Sequence, residues 1–317
     1  MNQTASKNLK ERDLKGLVMN YFSFIGLLLV VLIFEILTQG RLLRSKNLMN
    51  IFNNFFSIGL GALGVTFLMA LGELDLSVGA IVGFSAAVAA FAAQVSLALI
   101  LPAALLTGIL IGLLNGVLIS RLHVESFIGT LATSFVFRGL TTLMLNGSVG
   151  IPVSQRVFDK DVVKISVFLV VVIVCYILFD FTAYGKRCRA VGSSAPAARQ
   201  AGVQVERVRT MAFVISGLLC GLAGFFSLVR TCTASSKTGD AFEFDVLLAV
   251  LFGGMPLSGG WNVKYRAAVV GAVAMAVLKN GMSLMGIDGL MQQVVQGVIL
   301  IVIVVISFDR RNAVVIK

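Results

Sequence analysis

Charge is what this chain has least of: Asp, Glu, Lys and Arg make up 13% of its 317 residues, about half the share of a soluble domain. A soluble fold of this size could not cover its outside with so few polar groups, whereas a protein in lipid faces acyl chains and need not. Histidine is nearly absent. His123 has only Arg121 and Glu125 beside it, which argues against a proton relay, a metal site or a membrane enzyme. The four cysteines, Cys175, Cys188, Cys220 and Cys232, have no paired or metal-ligand spacing and read as small hydrophobes. No Gly-x-x-x-x-Gly-Lys-Ser/Thr loop occurs, so the chain does not itself cradle nucleotide phosphates. Any ATP and Mg that it exploits would be bound by a partner.

What is present is apolar sequence and glycine. Hydrophobic residues make up 58% of the chain and there are 32 glycines, a composition suited to close helix contacts in a bilayer. Apolar segments fall near residues 21–38, 51–71, 76–93, 97–120, 126–145, 164–181, 208–230, 244–257, 267–285 and 290–307. The expectation is an all-α polytopic membrane protein of about ten transmembrane helices, forming one domain over residues 1–317. The eighth segment is short and Gly-rich near its end, as a half-helix stopping inside the protein would be. The basic start of the chain precedes a long apolar run without a small-residue cleavage site, which predicts an uncleaved first helix.

The net charge of +11 does not mark a nucleic-acid surface, because the basic residues sit in the breaks between apolar runs, where they report topology and contact with lipid. With the N-terminus inside, Lys7, Lys10, Arg12, Lys15, Arg121, the run from Lys186 to Arg209, Lys264, Arg266, Arg310, Arg311 and Lys317 are cytoplasmic. They outnumber Arg41, Arg44, Lys46, Arg156, Lys160, Lys164, Arg230 and Lys237 on the other side, so both termini are expected in the cytoplasm. Residues 1–20 then form a cytoplasmic N-terminal segment, and 182–209 the longest cytoplasmic connection. Within it, Ser193 and Ser194 can cap a helix that Pro196 starts well and Gly202 can end. That predicts a lone short helix, with Ala197 and Ala201 on one face and Arg199 pointing elsewhere.

Few ionisable residues fall within the apolar runs: Glu35, Glu73, Asp75, Arg138, Asp245 and Lys279, mostly near span ends. Charge in a bilayer invites a functional reading. Asp75 also suits the N-cap of the helix that follows it. An ion-coupled secondary transporter is the alternative reading, though it would want several mid-span carboxylates or histidines around a cavity. An internal echo links residues 71–79 with 252–260, where Gly, Leu, Ser and Gly recur at matched offsets.

Several elements resemble the ribose-type permeases of ATP-binding-cassette (ABC) importers. Leu74-Asp75-Leu76-Ser77-Val78-Gly79 looks like their Ile-Asp-Leu-Ser-Val-Gly. Phe127-Ile128-Gly129-Thr130-Leu131 with Arg138-Gly139, and Tyr184-Gly185 through Ala197-Ala198-Arg199-Gln200-Ala201-Gly202-Val203, match in order. So do Glu243-Phe244-Asp245, Gly253-Gly254 and Leu257-Ser258-Gly259-Gly260. The resemblance implies a bacterial inner-membrane subunit carrying a monosaccharide or similar small polar solute. It implies four kinds of neighbour: lipid, a second permease (the same chain or a different one), a cytoplasmic ATPase and an extracytoplasmic sugar-binding protein. Ser193, Ser194, Pro196, Ala197, Ala198, Arg199, Ala201 and Gly202 would form the coupling helix. Glu73, Asp75, Ser77, Gly79, Phe127, Glu243, Asp245, Gly253 and Gly254 would line or control the path. Departures stand at Glu73, where the family carries a small residue, at Ser193-Ser194 for Gly-Asn, and at Trp261-Asn262. They leave the architecture unchanged and the solute open.

Overall fold

A computed structural model describes residues 24–307. The segment 1–20 and the basic residues Lys7, Lys10, Arg12, Lys15, Arg310, Arg311 and Lys317 lie outside the described residues. The described residues are helical throughout, apart from one antiparallel pair of three-residue strands, distant in sequence. The helices are α1 (Phe24–Leu37), α2 (Ser45–Leu71), α3 (Val78–Val95), α4 (Ile100–Ser120), α5 (Ser126–Leu145), α6 (Asp161–Tyr176), α7 (Ala183–Ser193), α8 (Ala195–Gln200), α9 (Val205–Thr231), α10 (Phe242–Phe252), α11 (Tyr265–Leu284) and α12 (Gly289–Ser307). Strand β1 (Ser148–Gly150) pairs with β2 (Thr233–Ser235).

Seven described stretches are long and apolar enough to cross a bilayer: α2, α3, Leu97–Ser120, α5, Asp161–Phe181, α9 and α11. The described parts of α1 and α12 are shorter apolar helices. The eighth apolar segment is a half-helix, as its length predicts: α10 has 11 residues and stops before Gly253. Helices α2, α3, α9, α10 and α11 form the packed interior, while α5, α6 and α12 turn rows of Leu, Ile, Val and Phe outward. Those outward rows are the surface that lipid or another membrane subunit covers.

The seam between α4 and α9 is the most extensive helix contact. Gly108, Gly112 and Gly116 of α4 lie against Gly217, Phe213 and Thr210 of α9, and a side chain added at Gly116 would come within 2.8 Å of Thr210 Cα. Small residues let the two backbones touch, which is how helices pack tightly without a hydrophobic driving force.

The connection 182–209 differs from the single helix expected there. It holds two helices, because Thr182 caps α7 by accepting a hydrogen bond from the Tyr184 amide at 3.2 Å. Ser193 therefore ends α7 and does not start α8. Ser194 is the N-cap of α8, accepting from the Ala197 amide at 3.3 Å, with Pro196 in the first turn and Gly202 beyond the end at φ +83°. Since α9 begins five residues after α8 and runs 27 residues to β2, α8 and the strand pair mark opposite ends of the bundle, about 40 Å apart.

The two echoing segments meet. Gly72 ends α2 in the left-handed conformation, and a side chain there would lie 3.2 Å from the Ser258 carbonyl. The Gly260 amide donates to Ala70 of α2 at 2.9 Å.

Candidate functional site

Two helices begin in the middle of the bundle. The connection 72–77 turns back from the end of α2 and delivers Asp75 beside Ser216, eleven residues into α9. From there α3 runs toward the end that carries β1 and β2. The segment after β2 descends from the strand pair, and α10 runs from mid-bundle toward the α8 end. The two N-terminal ends confront each other, for a side chain at Gly79 would collide with the Glu243 carboxylate and lie 2.6 Å from the Gly239 carbonyl. Helix N-termini carry partial positive charge and unpaired N–H groups. Asp75, Glu243 and Asp245 all fall where that charge favours a carboxylate.

Asp75 does not occupy the N-cap as expected; Ser77 does. The Asp75 carboxylate instead closes the turn before the helix. Its Oδ1 accepts from the Ser77 amide at 2.8 Å and from the Ser77 hydroxyl at 2.6 Å, and Asn115 Nδ2 of α4 donates to the same hydroxyl at 2.8 Å. Asp75, Ser77 and Asn115 are all buried.

Helix α5 fastens to both mid-bundle breaks. Ser126 and Thr130 accept from the amides of Leu74 (3.3 Å) and Leu76 (3.1 Å). About two turns further on, Arg138 reaches the second break. It donates to Glu243 at 2.8 and 3.0 Å, to Asp240 at 3.0 Å and to the Gly239 carbonyl at 3.2 Å. Arg138 is thus the cation that answers the carboxylates at the head of α10.

The other expected path residues separate. Glu73 pairs with Arg209 at 3.0 Å near the start of α9. Asp245 faces away from Glu243, held by Lys279 of α11 and by Gln296 of α12 at 3.1 Å. Gly253 and Gly254 lie at the far end of α10, Gly253 packed on Ala267. Phe127 sits on the outward face of α5, half exposed. So Asp75, Ser77, Gly79 and Glu243 form one site, and Glu73, Asp245, Phe127, Gly253 and Gly254 are outside it. Asn115, Ser126, Thr130, Ser216 and Asp240 join it without having been singled out. Polar Asn115 in an otherwise apolar run was the signal available for one of them.

On α8, Pro196, Ala197, Arg199, Ala201 and Gly202 are exposed and Ala198 is buried. Ala197 and Ala201 therefore present an exposed small-residue face. Arg199 is not directed outward alone, since it pairs with Glu206 in the first turn of α9.

Residues 47–304 match a protein family described as the permease component of branched-chain amino acid transport systems. The chain belongs to this family of transport permeases. It is 33% identical over 310 residues to the ribose import permease of Bacillus subtilis, covering 94% of this chain and 95% of that one. It is 35% identical to the L-arabinose ABC transporter permease of Azospirillum brasilense, over 87% and 84% of the two chains. The ribose import permease of Escherichia coli is 28% identical over 94% and 96%. The expected kinship with ribose-type permeases is borne out. No solved structure matches the chain.

Proposed function

We propose that this chain is the membrane subunit of an ATP-driven importer that passes a monosaccharide, or a similar small polar solute, across a bacterial inner membrane. Near-full-length identity to ribose and arabinose permeases favours this over an ion-coupled carrier, and such a subunit is not itself an enzyme. In this reading ten apolar segments cross the membrane, the run of turns over 236–241 and α10 completing the eighth crossing, and both termini are cytoplasmic. ATP and Mg are bound by a cytoplasmic ATPase, affinity for the solute comes from an extracytoplasmic binding protein, and a second permease completes the path.

The observation that carries the reading is α8. A chain without a nucleotide loop can use ATP only through a surface that a partner grips, and α8 is a capped helix with an exposed alanine face at one end of the bundle. ATP-driven closure of the ATPase pair would push on α8, and α9, which starts five residues later, would carry that movement into the bundle. Ala197→Glu with Ala201→Glu places charge in that contact. The expected result is normal insertion and dimer formation with loss of both ATPase pull-down and labelled-sugar uptake. Normal uptake at normal expression would overturn the reading.

A further inference from the structure

Trp261 is the chain's single tryptophan and stands 59% exposed in the segment between α10 and α11. Its backbone is fixed from three sides. The Gly260 amide donates to Ala70, Gly259 packs on Gly72 across the end of α2, and Gly260, at φ +84°, lies against Ser193 Oγ, one residue before the N-cap of α8. Val263, two residues on, is fully buried. The ring is also backed. The Arg189 guanidinium of α7 lies 4.6 Å from the buried Phe179 ring and 5.6 Å from the indole, and is held by the Phe179 carbonyl at 2.7 Å and Asp180 at 2.9 Å. Phe179, Arg189 and Trp261 thus form a stack that begins in the core and ends at the surface, with the indole as its outermost layer.

An exposed ring held this firmly loses little freedom on meeting a partner, and indoles of this kind dominate protein–protein contacts. A membrane-belt tryptophan would sit among exposed apolar residues. Here the exposed neighbours in sequence are Asn262 and Lys264, Ser193 lies against Gly260, and α7 presents Lys186 and Arg187, while the exposed rings of Tyr176 and Phe181 join the same aromatic cluster through Tyr265.

We infer that Trp261 is a second anchor beside α8, inserting into an apolar, acid-edged recess on the ATPase subunit and setting the angle at which α8 is gripped. This rests on the reading of α8 as the ATPase contact. The test uses the permease in nanodiscs with the co-expressed ATPase of its own transporter. Trp261→Ala is expected to weaken ATPase binding at least tenfold, and Trp261→Phe less, with insertion unchanged. In permease carrying 5-fluorotryptophan, the single ¹⁹F resonance should shift on addition of unlabelled ATPase. If Trp261→Ala binds normally while Ala197→Glu with Ala201→Glu does not, the inference fails and the α8 reading stands. If neither variant disturbs binding, the α8 reading fails first. Strong quenching of Trp261 fluorescence by brominated lipid in the isolated permease would place the ring in the bilayer and overturn the inference.

Discussion

Arg138 of α5 holds Glu243 at the head of α10 through its Nη2 nitrogen, at 2.8 and 3.0 Å from the two carboxylate oxygens. The pair spans 105 residues of sequence and ties an outward-facing helix to the mid-bundle break. Removing one partner of a buried pair leaves an uncompensated charge, a loss on the order of 3 kcal/mol, discounted here because Arg138 is about one-quarter exposed. Arg138→Met should therefore lower the thermal midpoint of the purified protein and stop uptake. Arg138→Met with Glu243→Gln should regain part of the stability, since no charge is then left unpaired. A double variant as unstable as the single one would show that the pair's role lies elsewhere.

Asp75 organises the first break through acceptor geometry. Asn in its place keeps an oxygen to accept from Ser77, so Asp75→Asn should stay within about 1 kcal/mol of the parent and retain transport. Asp75→Leu removes both bonds and leaves the buried Ser77 donors unpaired, at roughly 2–3 kcal/mol. Yield after detergent extraction and unfolding midpoints compare the two. A well-folded but inactive Asp75→Asn protein would assign the charge itself a role.

Glycine spacing on α4 should govern folding more than any polar residue. A side chain at Gly108 or Gly112 would collide with the α9 carbonyls of Gly217 or Phe213, whereas Gly139 and Gly297 have nothing within 4 Å of an added carbon. Overpacking costs about 1–3 kcal/mol or more. Gly112→Val is thus expected to abolish the folded product on size-exclusion chromatography, and Gly139→Ala to leave it intact.

Membrane orientation can be read by thiol labelling, though not on the native cysteines. All four are buried, and burial pushes the Cys188 thiol up to about 12. In a background with the native thiols replaced, Ser154→Cys near the strand pair should react with an impermeant maleimide in intact cells, after outer-membrane permeabilisation. Gln200→Cys on α8 should react only after lysis. The reverse pattern would invert the topology.

Local chemistry was legible in the sequence and distant pairing was not. Ser194, Pro196 and Gly202 specify α8 because caps act within one turn. Helix α7 escaped notice because its polar run hides a narrow buried face of Gly185, Cys188 and Val191. The four-residue spacing of Gly108, Gly112 and Gly116 on α4, matched by Gly217 and Gly221 on α9, was readable as a packing motif. Which glycine meets which partner was not. Arg138 stood out as a charge in lipid, but its partners Asp240 and Glu243 lie a hundred residues away, and only the fold brings them together.

The glycine seam locks α4 and α9 into one plate, and α5 lies outside it as a shutter. Backbones in direct contact have no side-chain layer to shear, so these two helices, with α2 and α3 packed on α9, must travel as one plate. Helix α5 reaches the breaks through hydroxyls and a guanidinium, bonds that break and re-form singly. Motion imposed at α8 would tilt the plate whole and be released as a slip of α5 across the heads of α3 and α10.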